Sequence, residues 1–358
     1  MSKLFTPIRI RNVEIKNRLW VSPMCMYSCE NKDGVVGDWH LVHLGARAIG
    51  GAGLVMVEAS GVNPEGRITP WCAGIWNDEQ VLAWKRITQF IRQAGAVSAM
   101  QLAHAGRKAS VHRSWSGSGS VPIADGGWQT YSATDEAFTG YEAPRKLSTE
   151  EVKALVDDFR SSARRAIAAG FDVIEIHAAH GYLIHQFLSP LTNKRDDQYG
   201  GNLENRARLL LEIVEAVRNE IGEGVPLLVR FSATDYVEGG WDQEQTNQVA
   251  KWALEKGADM FDLSSGGLVT GVKIPSGPGY QVHFSESTHT STSAPVSAVG
   301  QITDAQQAEE IVASGKVDVV MMARQLLRDP YFPLRAAHEL GVAVDWPSQY
   351  ERGVWPSA

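Results

Sequence analysis

Two histidines and a tyrosine follow a short apolar run near the middle of the chain. The run, residues 171–176, is bounded by glycines and is typical of a short buried strand. His177 and His180 leave the end of this strand together, and Tyr182 follows them. Two neutral imidazoles can donate hydrogen bonds to one substrate oxygen, and a phenol can supply a proton. The spacing therefore indicates a site that polarises a carbonyl or nitro group, although histidines so spaced also occur as core residues or helix caps.

Apolar, strand-like runs recur along the chain with amphipathic segments between them. Eight such runs are present, at residues 19–22, 53–59, 97–103, 171–178, 225–232, 260–264, 296–300 and 317–322. Helical spacing of apolar residues occurs at 78–93, 149–169, 205–220, 243–255, 305–313 and 333–340. This alternation predicts an α/β fold, a single (β/α)8 TIM barrel over residues 1–358, with its reactive groups at the carboxyl ends of the strands. His177 and His180 lie at such an end.

Two stretches interrupt the alternation. Residues 106–145 are rich in Gly, Ser and Trp with little periodicity, which predicts a long surface excursion after the third strand. Residues 284–295 stand where a barrel helix belongs, but they are mostly Ser and Thr and have almost no apolar face. Because these side chains compete for backbone hydrogen bonds, we expect at most a short or irregular helix there.

Composition narrows the class of protein. The net charge of −7 gives no positive electrostatic field to attract nucleic acid, so we do not expect the protein to bind it. The sequence has neither a signal-peptide core nor an apolar run long enough to span a bilayer, so we expect a cytoplasmic protein that does not bind membranes. Its cysteines, Cys25, Cys29 and Cys72, are too few and too irregularly spaced for a disulfide framework or an iron–sulfur cluster. No metal site is expected.

Six motifs in register go beyond these general patterns. They are residues 22–27, 58–60, 101–108, 177–183, 197–201 and 349–353. In order and spacing they resemble the old yellow enzyme family, and the match is nearest to its bacterial xenobiotic-reductase or thermophilic-like ene-reductase class. The resemblance spans nearly the whole chain.

The resemblance implies a flavin enzyme. FMN would be bound without covalent attachment, reduced by NADPH or NADH, and would then deliver hydride to the activated C=C bond of enones, maleimides or nitro compounds in a ping-pong sequence. In such enzymes the cofactor carries the chemistry, while the protein positions it and tunes its electronics.

Contacts to the flavin ring are implied at the ends of four strands. They involve Ser22, Pro23, Met24, Cys25, Ala59, Gln101 and Arg230. Cys25 matches the position near the reactive nitrogen, where a thiol modulates redox potential in the family. Gln101 offers both a donor and an acceptor to the ring. Arg230 would place a cation where reduction builds negative charge.

The FMN phosphate is expected where the seventh and eighth strands end. Gly300, Ala323 and Arg324 stand there. The family usually has Gly-Arg at the last two positions, whereas this chain has Ala-Arg. A methyl group does not remove the backbone donor, so we expect phosphate binding to persist with Arg324 as its cation.

On the acceptor side, the resemblance gives His177 and His180 the role of binding the carbonyl or nitro oxygen. Tyr182 would protonate the α-carbon, and Tyr27 would add a hydrogen bond to the same acceptor. A C-terminal arm, residues 345–358, would cross a two-fold interface and place Arg352 in the neighbouring subunit's pocket. A homodimer or homotetramer follows from this arrangement.

Three other functions compete with this prediction. A metal-dependent hydrolase could use His177, His180 and a carboxylate such as Glu175 as ligands, but that leaves Gln101 and Arg230 without a role. The larger iron–sulfur relatives that reduce dienoyl thioesters share the barrel but carry a cysteine cluster and a further nucleotide-binding domain. A barrel that merely binds FMN or scaffolds a partner is the third alternative, which turnover of NADPH with cyclohexenone would test.

Overall fold

The computed structural model describes residues 2–356, in which eight strands pair side by side into a closed barrel. The strands of the whole fold are β1 (Ile8–Ile10), β2 (Val13–Ile15), β3 (Leu19–Val21), β4 (Leu54–Gly61), β5 (Val97–Ala103), β6 (Tyr131–Ser132), β7 (Arg145–Lys146), β8 (Val173–Ala178), β9 (Leu227–Ser232), β10 (Met260–Ser264), β11 (Val296–Ala298) and β12 (Val319–Met322). The barrel consists of β3, β4, β5 and β8 to β12, paired in parallel in the order of the chain. The predicted (β/α)8 barrel is thus confirmed, and each of the eight predicted runs overlaps one barrel strand.

Helices surround the barrel and cover the outer faces of its strands. They are α1 (Asp38–Ile49), α2 (Asp78–Gln93), α3 (Thr149–Ala168), α4 (Leu183–Leu188), α5 (Leu203–Ile221), α6 (Gln243–Glu255), α7 (Val282–Thr292), α8 (Ala305–Ala313), α9 (Arg324–Arg328) and α10 (Phe332–Glu339). Three of them, α2, α6 and α8, have the predicted bounds. Within residues 2–356 no helix is long and apolar enough to cross a membrane.

A short antiparallel hairpin closes the amino end of the barrel. Strands β1 and β2 pair with each other, and Ile8 and Ile15 pack into a cluster with interior barrel side chains such as Trp20 and Met260. Trp20 is fully buried. With this end filled, the carboxyl ends of the strands form the opposite face of the barrel, where the residues of interest lie.

The segment between β5 and α3 has little regular structure. It contains 3-10 turns at Gly106–Lys108 and Ile123–Asp125 and the short strands β6 and β7, which pair with each other. Its first turn is mostly buried and bonds to residues of α4: the Arg107 amide donates to the Gln186 side-chain oxygen.

The expectation for residues 284–295 is wrong, because α7 is a helix of 11 residues there, about three turns long. Polar anchors replace the missing apolar stripe. The Ser285 hydroxyl donates to the Ser297 carbonyl of β11, and Thr288 donates to the Asn247 side chain of α6. Phe284 adds a buried aromatic ring. The hydroxyls that lower helix propensity are thus used to fasten the helix to its neighbours.

Candidate active site

The turn from β8 into α4 brings His177, His180 and Tyr182 together. His177 lies in β8, and Tyr182 is the N-cap of α4. Between them the backbone is left-handed at His180 (φ 58°) and at Gly181 (φ 71°). A Cβ at Gly181 would lie 2.3 Å from the Gly267 carbonyl oxygen, so only glycine fits this turn.

The three rings of this turn form one cluster. The His177 ring centroid lies 5.2 Å from that of His180 and 5.1 Å from that of Tyr182, and both pairs are close to perpendicular. Burial holds the pKa of both histidines well below the ordinary value, and the Arg230 charge acts in the same direction. Burial also raises the pKa of Tyr182. Near neutral pH the cluster is therefore two neutral imidazoles and a protonated phenol.

Hydrogen bonds to the imidazoles determine which nitrogen can donate. The Nδ1 atom of His177 accepts the Ala179 amide at 3.2 Å, so the proton of the neutral ring is on Nε2. The Nε2 atom of His180 lies 2.8 Å from the Ser264 hydroxyl. The Ser264 hydroxyl has a second acceptor in Gln281 Oε1, at 3.4 Å. When the hydroxyl donates to His180 instead, Nδ1 of His180 carries the proton, and both rings have a donor available for a bound oxygen.

A second wall of the site follows β3. Cys25, Tyr27 and Tyr182 pack against the same small cluster, which contains Ile68 and Cys72. Burial raises the pKa of Cys25 well above the ordinary value, with a further contribution from Glu58, so it is a thiol rather than a thiolate at neutral pH. Burial likewise raises the pKa of Tyr27.

Glu58 holds the turn that carries Tyr27. Its Oε2 accepts the Met26 amide at 3.2 Å, and its Oε1 lies 3.3 Å from Nε2 of His40, with both side chains buried. Tyr27 itself has a left-handed backbone, at φ 52°. The motif 58–60 contains Glu58, but no role for this residue could be predicted, because its two partners become neighbours only when the barrel closes.

Polar side chains on neighbouring strands form a buried row beneath the cluster. Gln101 pairs in register with Glu175 and donates to its Oε1 at 2.8 Å. Arg230 pairs with His177 on one side and with Asp262 on the other, its Nε lying 3.0 Å from Asp262 Oδ2. Burial raises the pKa of Glu175 to about 8; the Asp262 charge adds to this, and the Arg230 charge opposes it.

The last two barrel strands end near a third group of residues. Gly300 follows β11, and Ala323 separates β12 from α9, which begins at Arg324. Gly300 has φ 133°, and a Cβ there would lie 3.0 Å from the Tyr280 ring. Burial raises the pKa of Tyr280, and the positive charges of Arg324 and Arg230 oppose the rise. Tyr280 has no signal in the sequence that marks it as a site residue.

Comparison with known proteins decides the family. Residues 3–342 match the model of the NADH:flavin oxidoreductase / NADH oxidase family. The chain belongs to this family. It is 47% identical to an NADPH dehydrogenase of Bacillus subtilis over 352 residues, which is 98% of this chain and 99% of the relative.

Solved structures agree with the family assignment. An old yellow enzyme homologue from Zymomonas mobilis has 29% identity and a TM-score of 0.79, with 98% of each chain covered. A 2-naphthoyl-CoA reductase has 29% identity and a TM-score of 0.86; the match covers 94% of this chain but only 52% of that one, so this chain spans about half its length. The resemblance to the old yellow enzyme family is confirmed, and the protein is an FMN-dependent NADH/NADPH oxidoreductase.

The residues present fit a flavin. The Ser22 hydroxyl, directly after β3, is buried without a hydrogen-bond partner, which suits a residue whose partner is a bound ligand. The side chains of Pro23, Met24 and Cys25 are partly exposed beside it, as a surface for a planar ring requires. Ala59, near the end of β4, is buried.

The ligands that the alternative metal-dependent hydrolase would need do not form one ligand set. Gln101 holds Glu175 within the barrel, while His177 and His180 lie at the strand end. Across residues 2–356, no group of three or more His, Cys, Asp or Glu side chains could hold a metal ion.

The C-terminal arm lies apart from this cluster within one chain. Arg352 is exposed on the 3-10 helix Ser348–Gly353. Nearby, Tyr350 and Trp346 line a groove of about 1050 Å³ together with Lys16 and Gly95, which precede barrel strands and so mark the amino face. The entry of Arg352 into a neighbouring subunit's pocket stays a prediction.

Proposed function

We propose that the protein is an ene-reductase: it reduces the activated C=C bond of α,β-unsaturated carbonyl or nitro compounds, with NADPH or NADH as hydride donor, in a ping-pong sequence. One observation carries the proposal. Two neutral imidazoles and a protonated phenol meet at the carboxyl end of β8, where the His177 ring centroid lies about 5 Å from that of His180 and from that of Tyr182. This set can bind one oxygen and deliver one proton.

Side chains at the strand ends are available to hold FMN. We assign the ring to Ser22, Pro23, Met24, Cys25, Ala59, Gln101 and Arg230, and the phosphate to Gly300, Ala323 and Arg324. When bound, FMN supplies the hydride that it has received from the nicotinamide. Arg230, only 5% exposed, stabilises negative charge beside the ring because water screens it little. The Cys25 thiol tunes the redox potential.

His177 and His180 bind and polarise the acceptor. Each donates to the carbonyl or nitro oxygen, His177 through Nε2 and His180 through Nδ1 in the tautomer that accepts the Ser264 hydroxyl. These bonds strengthen as charge develops on that oxygen, so they favour the transition state over the ground state. Tyr27, on the facing wall, adds a further hydrogen bond.

Tyr182 delivers the proton. Its raised pKa keeps the phenol protonated across the physiological range, so a proton is always available. The O–H bond breaks as the bond from hydrogen to the α-carbon forms. Its ring lies beside that of His177, which places it next to the bound acceptor.

The test is anaerobic turnover of NADPH with cyclohexenone, an N-alkylmaleimide and a nitroalkene as acceptors. Cyclohexanone is the matched control, because it has the same carbonyl but no conjugated double bond. We expect NADPH oxidation and a saturated product with each of the three acceptors and none with cyclohexanone. Absence of a saturated product from all three acceptors, with no more NADPH oxidised than the one equivalent that reduces the flavin, would contradict the proposal.

A further inference from the structure

Lys108 reaches the proton-donor side of the site from another strand. It ends the 3-10 turn Gly106–Lys108 that follows β5. Its Nζ donates to the carbonyl oxygens of His180 and Gly267, both at 2.8 Å. The same nitrogen lies 5.1 Å from the centroid of the Tyr182 ring. One ammonium group thus binds the β8–α4 turn, the loop after β10 and the face of the phenol.

The neighbouring residue strengthens this connection. Arg107 donates to the Leu268 carbonyl at 3.0 Å, so two consecutive cations hold the loop that follows β10. That loop is the one against which Gly181 packs. The charged and titratable groups that act on or face Lys108 are Arg107, His177, His180 and Tyr182. Burial lowers the pKa of Lys108 to about 8, with Arg107 as the second cause.

A cation over this ring affects the proton transfer. When Tyr182 gives its proton to the α-carbon, the electron pair of the O–H bond stays on the oxygen as a phenolate, which solvent later reprotonates. Burial opposes that charge. An ammonium over the ring face attracts the phenolate more strongly than the neutral phenol, so it lowers the barrier to proton release.

We propose that Lys108 is a positioning residue for the alkene-reduction step: it fixes the Tyr182 turn and stabilises the charge that develops on the phenol. The inference depends on the proposed role of Tyr182 as proton donor.

Single-turnover oxidation of the NADPH-reduced protein by cyclohexenone, measured from pH 6 to 10, tests it. The variants are Lys108→Met, Lys108→Arg and Tyr182→Phe. Lys153→Met is the matched control, since Lys153 is exposed on α3. We expect Lys108→Met to slow the oxidation step roughly 10-fold or more, with reduction by NADPH changed less than about twofold.

The pH dependence of the oxidation rate distinguishes an effect of the Lys108 charge from a purely structural role of its side chain. In the unaltered protein the rate should fall as the pH rises through about 8, where Lys108 loses its proton. Lys108→Arg should restore most of the rate and move this fall to higher pH, because a guanidinium stays charged. The comparison of Lys108→Arg with the unaltered protein keeps a positive charge at this position. It therefore tests the inference even if Lys108→Met does not fold.

Three results would overturn the inference: an unchanged rate in Lys108→Met, equal losses in the Met and Arg variants, or a pH profile that Lys108→Arg does not move. If Tyr182→Phe oxidises at the normal rate, the role of Tyr182 fails, and the inference fails with it. If Tyr182→Phe slows the oxidation step but the Lys108 variants oxidise at the normal rate, only the inference about Lys108 is wrong.

Discussion

At the scale of single residues, the site depends on keeping its hydrogen-bond donors neutral. A charged imidazole would bind a carbonyl oxygen more strongly, but it would also bind anions and lose its proton as conditions change. Burial prevents this by holding the pKa of His177 and His180 well below the ordinary value. Acceptor binding should therefore not change between about pH 6 and pH 8, because neither ring titrates in that range.

We predict that His177→Ala and His180→Ala each weaken the binding of a phenol such as p-hydroxybenzaldehyde. Each change removes one hydrogen bond from a buried oxygen, which is worth about 1–3 kcal/mol, or roughly a 5- to 150-fold rise in Kd. Titration of the visible spectrum measures it. His283→Ala, at an exposed position, is the control. Unchanged affinity in both site variants would show that the histidines do not bind the acceptor.

At the scale of elements, the barrel was predictable because its strands are continuous apolar runs and its helices carry clear stripes. The shorter elements could not be predicted from the sequence. β1 and β2 have three residues each, too few to show a period, and their role in filling the barrel appears only when it closes. α7 was missed because its anchors are hydroxyls bonded to α6 and β11, and no local pattern encodes such partners.

Some residues of the site could be predicted from the sequence, and others could not. The motifs on β3, β5 and β8 predicted its main residues by number, because each lies at a strand end. Only contacts between distant segments of the chain show that three further residues belong to the site, namely Glu58, Lys108 and Tyr280. Lys108, for example, bonds to the Gly267 carbonyl, which is 159 residues away along the chain.

Thr288 provides a test of the polar anchoring of α7. Thr288→Val keeps the shape of the side chain but removes its hydrogen bonds to Gln243 and Asn247 of α6. We expect the free energy of unfolding to fall by about 1–2 kcal/mol, as measured by urea denaturation at a fixed FMN concentration. Thr290→Val is the control, because Thr290 is exposed and its hydroxyl bonds within the helix. Equal effects would argue against anchoring through α6.

At the scale of the whole molecule, the C-terminal arm exposes aromatic surface. Tyr350 and Trp355 are 39% and 38% exposed in the single chain, although Trp355 stacks on His338 of α10. Half-exposed aromatic side chains next to an arginine are typical of an interface that is completed by a partner. The homodimer or homotetramer itself stays a prediction.

Deleting residues 349–358 should weaken both self-association and alkene turnover, while FMN stays bound because its proposed contacts lie at the opposite face. Analytical ultracentrifugation, turnover with cyclohexenone and visible absorbance measure the three quantities. Arg352→Ala separates the two roles of the arm, since it should lower turnover more than association. A truncated protein that remains an equally active oligomer would rule out a shared site.

The proposed function requires that His177, His180 and Tyr182 form the place where an activated alkene is reduced. Its most direct test is a single turnover without oxygen: the protein is reduced with one equivalent of NADPH, mixed with cyclohexenone, and followed by absorbance and product analysis. We expect full recovery of the oxidised flavin spectrum with one cyclohexanone formed per flavin, and a much slower recovery in the His177→Ala, His180→Ala double variant. A flavin that stays reduced in the presence of cyclohexenone, or a double variant as fast as the unaltered protein, would contradict it.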